Sequence, residues 1–351
     1  MELGATPLDK PLLHRSGAVE GRRWPTDLNG WLLLYDRLPP QGAGIALALV
    51  GYAGLLGLVA GAMPMLAPFL LPLRVGTLCI SALIQKVLVF RLFVNCNFVE
   101  LESLHLSSAH GALLVAIQLT LAQAPGLAPA SIATAVATCA TAAILFAAVL
   151  QLGVYAHFVH HIVVYRAKVE PFWTPVMLCF ATLPLDRTGQ LPYWLRLSGL
   201  LFGWGTTALM WPLCVRRMLR MPSKAADPSI FMLMAPVAFC TIGVFTNGDA
   251  DALPPPALVA LALLNVFSVG VTCAACWQRR AALRASLSPL VPGWVALTFP
   301  LASNANVATR VWLAAAAGKL VCSHGHSCAG VALRTTHMTP RRRRRGRGKP
   351  G

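Results

Sequence analysis

The chain has 351 residues, of which 56% are hydrophobic and only 12% are charged, and its mean hydropathy is +0.64. A water-soluble domain carries about 25% charged residues, so this composition excludes a soluble surface and predicts an all-α, polytopic membrane protein. Much of the net charge of +17 comes from the C-terminal end of the chain, since seven positive charges lie in the last eleven residues, RRRRRGRGKPG.

The N-terminal region, residues 1–42, is polar and mixed in charge. It contains no apolar run of about 7–15 residues after a basic start, which a secretory signal peptide needs. We expect this region and the tail 322–351 to be disordered, because neither composition can bury a core.

The transmembrane domain is predicted over 43–321. A membrane-spanning helix needs about 20 mainly apolar residues, and about 8–10 helices are expected here. Smooth segments such as 131–165 alternate with shorter, proline-marked segments such as 229–246. The candidates are 43–70, 71–93, 131–165, 172–185, 193–215, 229–246, 257–278, 288–305 and 306–321, with a marginal segment at 109–125.

Charge placement gives a topology. Lysine and arginine mark the cytoplasmic side of a membrane protein, and basic residues follow the segments that end near 165, 215 and 278. The segments then pair as hairpins that start from 71–93, and the basic C-terminus lies in the cytoplasm. Segment 43–70 does not fit this scheme and is interpreted as an extra or re-entrant helix.

A Phe-Pro pair at Phe299 and Pro300 predicts a helix break. Proline removes a backbone donor and costs a helix interior about 3 kcal/mol. Broken helices are tolerated at membrane depth where the freed groups face protein or a water-filled cavity, and transporters build substrate sites from them. Proline also occurs in membrane helices for packing reasons alone. The alternation of proline-marked and smooth segments favours a pore or transport path.

Histidines raise an alternative, a membrane di-iron desaturase or hydroxylase. The sequence contains an HxxHH motif and an Hx4H motif, but a di-iron site needs a further box to complete its ligand set. We interpret the cluster as the interfacial end of a helix and expect no metal or other cofactor. The residues concerned are His105, His110, His157, His160 and His161, with His324, His326 and His337 downstream.

Other chemistry is not predicted. The Cys and His residues at 322–328 are packed more tightly than structural zinc spacing allows, and the ten cysteines lie mostly in apolar segments. No phosphate-binding loop, nucleophile elbow or carboxylate pair occurs, so the sequence does not indicate an enzyme. The arginine tail can contact anionic lipid head groups. It has no interleaved aromatic residue to stack on bases, so nucleic acid is not expected as a partner.

Several motifs resemble the S-type (slow) anion channels and tellurite-resistance/dicarboxylate transporters. Trp294-Val-Ala-Leu-Thr298-Phe299-Pro300 is similar to their W-x-A-x-T-F-P signature, and 228–236, which ends in Ala235-Pro236, to their P-S-x-F-x-x-x-A-P helix. The stretch 76–90 resembles their first pore helix, with Gln85 at the usual glutamine. The link 163–180, with Pro175, resembles the entry to their third helix but lacks its His-Pro. The resemblance covers about 71–305.

The resemblance implies ten helices: five inner, often proline-kinked helices that line a pore and five outer helices around them, with subunits in trimers. Phe299 would be the gate, Pro300 the kink that aims it, and Thr298 their neighbour, while Gln85, Pro175, Ala235 and Pro236 would belong to pore-lining helices. The implied partners are membrane lipids and small anions (chloride, nitrate or a dicarboxylate such as malate), moved passively or with protons. The expected location is the plasma membrane.

Charge near the path is expected to be low, because no basic residue lies in the middle of a proposed inner helix. A basic cytoplasmic rim of Arg216, Arg217, Arg279 and Arg280 would raise the local anion concentration.

One departure from the family pattern suggests a second alternative. Another outer–inner helix pair is needed between 172–185 and 229–246, where only one helix fits. The chain is then two helices short and the ring of pore helices is open, which would fit a non-conducting relic of the channel fold.

Overall fold

The structure is a computed structural model that describes residues 42–94, 104–165, 173–178, 180–186, 188–220, 228–247, 254–287 and 293–316. Every regular element within these ranges is a helix, which confirms the all-α fold class. Gly42 begins the first helix; the rest of the predicted N-terminal region and the whole of the tail 322–351 lie outside the described residues.

The helices that are long and apolar enough to cross a membrane, within the described ranges, are α1 (Gly42–Ala62), α2 (Ala67–Val94), α3 (Leu104–Gln123), α4 (Ala133–Tyr165), α6 (Tyr193–Arg220) and α8 (Pro255–Gln278). Short 3₁₀ turns lie at Pro64–Leu66, Ala124–Leu127, Leu183–Leu185 and Pro228–Met234. The helices are α1 (Gly42–Ala62), α2 (Ala67–Val94), α3 (Leu104–Gln123), α4 (Ala133–Tyr165), α5 (Thr174–Met177), α6 (Tyr193–Arg220), α7 (Ala235–Thr246), α8 (Pro255–Gln278), α9 (Arg280–Leu287) and α10 (Gly293–Ala316).

The helices form an outer and an inner group, which differ in how far their side chains are buried. Helices α2, α4, α6 and α8 expose large apolar side chains such as Leu83, Phe146, Leu201 and Val266, as lipid-facing helices do. In contrast, α7 is buried from Ala235 to Gly243. We call α1, α3, α7, α10 and the segment 173–186 the inner elements, and α2, α4, α6 and α8 the outer helices.

The inner elements form a closed ring. In order around it, α1 packs on α3, α3 on the segment 173–186, this segment on α7, α7 on α10, and α10 on α1. The expectation of an open ring that lacks a helix pair is therefore wrong. It failed because α1 was set aside as an extra segment and α3 was read as marginal, although both belong to the ring.

The segment 172–185 was predicted as a candidate transmembrane helix, but its described part is not one continuous helix. Its described part consists of the short helix Thr174–Met177 and the turn Leu183–Leu185. Two features prevent one continuous helix: Pro184 has no backbone N–H, and Phe180 has a φ of 63°, which a right-handed helix excludes.

The predicted break at Phe299-Pro300 is wrong as well, because the described parts of the segments 288–305 and 306–321 belong to one helix, α10, that runs through Pro300 from Gly293 to Ala316. Segment 43–70 is a complete helix, α1, followed by the start of α2. At 21 residues and 1.5 Å per residue, α1 is about 32 Å long, enough to span a bilayer. Pro64 separates α1 from α2. It is the first residue of the turn that follows α1, where a missing backbone N–H costs little.

The two ends of the bundle differ. Arg279, after α8, donates hydrogen bonds to the carbonyls of Met218 and Ala275, and Trp211 of α6 donates to the carbonyl of Leu233 just before α7. We call this end, where α6 and α8 finish and α7 begins, the basic face, and the opposite end the far face. Helix α10 runs parallel to α1, toward the far face. The sequence analysis expected two separate membrane segments here, which would bring the chain back to the basic face. Within α10 that return does not occur.

Candidate functional site

A cavity of about 60 Å³ lies inside the ring, and all five inner elements line it. That volume has room for a few water molecules. Each element contributes at least one side chain to the lining: Val50 from α1, Leu119 from α3, Leu185 from the inner segment, Phe239 from α7 and Phe299 from α10. The axis of the ring is thus where the inner elements leave space.

The end of the cavity nearer the basic face is aromatic. Phe299 and Phe239 are each only 2% exposed, and their ring centroids lie 6.0 Å apart with the planes inclined by 53°. Below them the inner elements pack on one another through small and aliphatic side chains such as Leu47, Leu113 and Ala238. The two rings therefore form the floor of the cavity.

Pro300 lies buried within α10, directly after the Phe299 ring. The following residues bond back to this turn: Ser303 Oγ donates to the Phe299 carbonyl at 3.0 Å, and Asn304 Nδ2 donates to the Pro300 carbonyl at 2.9 Å. Such side-chain bonds to the preceding turn are common where proline interrupts a helix ladder. Thr298 is half-buried beside them and does not line the cavity.

The end of the cavity nearer the far face is polar. Gln123 lines it from α3 and Asn306 from α10, and each amide oxygen accepts a hydrogen bond from an arginine. Arg74 of α2 donates to Gln123 Oε1 at 3.3 Å, and Arg310 donates from Nε to Asn306 Oδ1 at 2.7 Å. These two arginines lie directly behind the lining, which itself carries no charged side chain.

Acidic groups are scarce around the site. Asp186 is the one acidic residue in the described part of the chain. Its carboxylate accepts hydrogen bonds from the backbone N–H and hydroxyl of Thr188, at 2.9 and 2.8 Å, and from the backbone N–H of Leu191 at 3.4 Å. It fixes its own loop, and the cavity lining itself contains no titratable side chain.

The other predicted pore residues lie elsewhere. Pro236 follows Ala235 in the first turn of α7, and Pro175 lies in the first turn of α5, positions where proline starts a helix without kinking it. All three are buried but none lines the cavity. Gln85 is on the outer helix α2, where its Nε2 lies 2.9 Å from Ser81 Oγ and 2.8 Å from Thr120 Oγ1, and it ties α2 to α3.

The four predicted rim arginines lie together at the basic face but have different surroundings. Arg216 and Arg280 are exposed, and the Arg280 guanidinium stacks 4.5 Å from the Trp277 ring centroid. Arg217 is half-buried. Arg279 is only 4% exposed and bonds to backbone carbonyls, so it joins α8 to α6.

The described histidines of the HxxHH motif follow one another along α4. The rings of His157 and His161 lie 4.5 Å apart, and those of His160 and His161 lie 6.1 Å apart. Among the described residues no three His, Cys, Asp or Glu side chains are grouped so that they could hold a metal ion. The side chain of His105 and the three downstream histidines lie outside the described residues.

No family model matches the chain, and no curated protein matches it. The resemblance to the slow anion channels therefore rests on the quoted motifs, and the function has to be argued from the cavity and its lining.

Proposed function

We propose that this protein moves small anions across a membrane through its ring of inner elements, with Phe299 as the gate. The observation that supports this is the cavity on the ring axis, which has the Phe299 ring in its floor. An apolar ring in a narrow constriction blocks a pore both sterically and by excluding water. Removal of that ring would lengthen the cavity toward the packed layer on the basic-face side.

The charge balance supports an anion as the transported species. The described part of the chain carries eleven lysine and arginine residues and one acidic residue, Asp186. Such an excess of positive charge raises the local concentration of anions and lowers that of cations. The small volume favours chloride or nitrate over a dicarboxylate such as malate.

We further propose that transport is passive. Coupling to protons needs a group on the path that gains and loses a proton, and the lining of the cavity has none. The chain would act in the plasma membrane as a homotrimer, as the motif resemblance implies, with lipid or neighbouring subunits covering the apolar surfaces of the outer helices.

The test is anion current in planar bilayers or oocytes from the wild-type chain and from Phe299→Ala. We expect the variant to carry at least tenfold more chloride current. Phe146→Ala is the matched control, because Phe146 is 66% exposed on the outer helix α4 and its loss should leave the current unchanged. Absence of current from both forms, with folded protein at the membrane, would overturn the proposal, and so would an equal rise in the control.

A further inference from the structure

The polar end of the cavity contains an arginine at an unusual place. Arg74 lies seven residues into α2, within a membrane-spanning stretch, and is only 9% exposed. Its guanidinium lies against Gly57 of α1, where an added β-carbon would come within 3.0 Å of Nε and Cζ. A cationic side chain inside a membrane-spanning segment is expensive and commonly marks a functional site.

Arg74 is not fully satisfied by the protein. One of its terminal nitrogens donates to Gln123 Oε1, whereas its Nε is buried and makes no hydrogen bond to any described residue. A purely structural arginine normally spends its buried donors on protein acceptors. A buried guanidinium with spare donor capacity and no acidic residue in its own helix suits a negatively charged ligand nearby.

The two arginines fix which way the cavity amides face. Guanidinium groups only donate hydrogen bonds, so the atoms they contact on Gln123 and Asn306 must be the amide oxygens. The NH₂ groups are thereby turned away from the arginines. Gln123 Nε2 lies 3.4 Å from the carbonyls of Val50 and Leu119, so its donors are engaged, though in long hydrogen bonds.

Asn306 presents a donor that is not engaged. With Oδ1 held by Arg310, its Nδ2 lies beside Gly54, 4.0 Å from the place where a β-carbon would be, and it makes no hydrogen bond to a described residue. The hydroxyls of Ser303 and Thr246 donate to carbonyls of their own helices. Gly54 therefore leaves open a space that an amide donor faces and two arginines flank.

We propose that this end of the cavity binds one small monovalent anion, a halide or nitrate, on Asn306 Nδ2 in the field of Arg74 and Arg310. The arginines act through the amides that they orient and through their charge. The site deepens the proposed function, since it lies on the same path directly on the far-face side of Phe299. Binding itself does not require that the path conducts.

The test is chloride binding to the purified full-length protein, followed by ³⁵Cl NMR line broadening at constant ionic strength with gluconate as the inert anion. Arg74→Gln and Arg310→Gln should each weaken binding at least tenfold, and Asn306→Asp should abolish it, because a carboxylate would then face the ligand. Lys86→Gln is the matched control: it removes one positive charge from the exposed side of α2 and should leave binding unchanged.

Loss of binding in an arginine variant could also result from misfolding, so a further variant keeps both arginines. Gly54→Val fills the open space beside Asn306 and should abolish binding while Arg74 and Arg310 remain. Unchanged chloride binding in Gly54→Val and Asn306→Asp, with monodisperse protein, would overturn the site. An equal loss in Lys86→Gln would show a non-local charge effect and would overturn it too.

Failure of this site and failure of the proposed function give different results. Arginine-dependent chloride binding without current from wild type or Phe299→Ala would leave the anion site and remove the channel. Current through Phe299→Ala, together with chloride binding that none of the four cavity variants changes, would leave the channel and remove this site.

Discussion

Gly51 of α1 lies directly against Phe299 of α10. A β-carbon built on Gly51 would come 3.4 Å from Cδ2 of the ring and 3.3 Å from the β-carbon of Ala302. The absence of a side chain at position 51 is therefore what lets α10 bring the ring to the axis of the bundle. Small residues at helix contacts serve the same purpose in other membrane bundles.

We expect Gly51→Ala to be less stable than Gly54→Ala, although both lie on α1. Alanine favours a helix over glycine by about 1 kcal/mol at either position, so the difference between the two isolates packing. At position 51 the helices must separate slightly, at a cost of about 1–2 kcal/mol, whereas position 54 has room. Thermal unfolding of the two variants in one detergent checks this, and equal midpoints would contradict the contact.

A second close contact holds the inner segment on α6. A β-carbon at Gly199 would lie 2.6 Å from the carbonyl oxygen of Phe180, and one at Gly203 would lie 2.6 Å from the β-carbon of Ala181. Phe180 has a positive φ, which a bulky residue keeps only where its surroundings enforce it. The two glycines let the segment sit close enough to reach the cavity with Leu185.

The loss of stability on replacing a glycine of α6 by alanine should depend strongly on its position. Gly199→Ala and Gly203→Ala are each expected to destabilise the fold by about 2–3 kcal/mol, because backbone has to move. Gly205→Ala on the same helix is the control, since nothing lies within 4 Å of its β-carbon. Melting curves give the comparison, and a loss in Gly205→Ala as large as in Gly203→Ala would contradict the packing argument.

The fold class could be predicted from the sequence, but the closed ring of inner elements could not, for a physical reason. Residues 109–125 looked marginal for a membrane helix because of polar residues such as Gln118 and Gln123. Both are buried inside the bundle, where they bond to protein groups and never meet lipid. Hydropathy assumes a lipid environment, so it penalises the inner helices that build a site.

The gate motif and the polar end of the cavity differed in how far they could be predicted. Phe299 was named because its Phe-Pro pair is a local signal; it lines the cavity although α10 continues through Pro300, and its role as a gate stays a prediction. Arg74 and Arg310 carried a usable signal, a cation within an apolar segment. Arg310 and Asn306 are only 4 positions apart in one helix. Arg74 and Gln123 are 49 positions apart, so their contact depends on how α2 packs on α3 and could not be predicted from the sequence.

A chain of buried hydrogen bonds should couple α3, α4 and the inner segment. Thr182 donates to Gln118 Oε1, Gln118 Nε2 donates to Gln151 Oε1 at 3.1 Å, and Gln151 Nε2 donates to the Pro175 carbonyl at 3.3 Å. Gln118→Leu and Gln151→Leu each leave buried partners unpaired, at about 1–3 kcal/mol. The double variant should lose less than the sum, because both changes break the same bond.

Unfolding midpoints of the two single variants and the double variant complete this cycle. Gln190→Leu, which alters an exposed glutamine of the loop after Asp186, is the control and should change stability by less than about 0.5 kcal/mol. Strict additivity of the two buried substitutions would show that the chain does not act as one unit.

The last prediction concerns the partner of the proposed gate. Phe239 packs against Phe299 with 6.0 Å between ring centroids, so a smaller side chain there should let the Phe299 ring tilt away from the axis. We choose Phe239→Leu, because Phe239→Ala would cost about 3–5 kcal/mol in a buried position. The current should rise above that of wild type but stay below that of Phe299→Ala, and the double variant should match Phe299→Ala. A double variant that conducts several-fold more than Phe299→Ala would instead make Phe239 a second, independent barrier on the path.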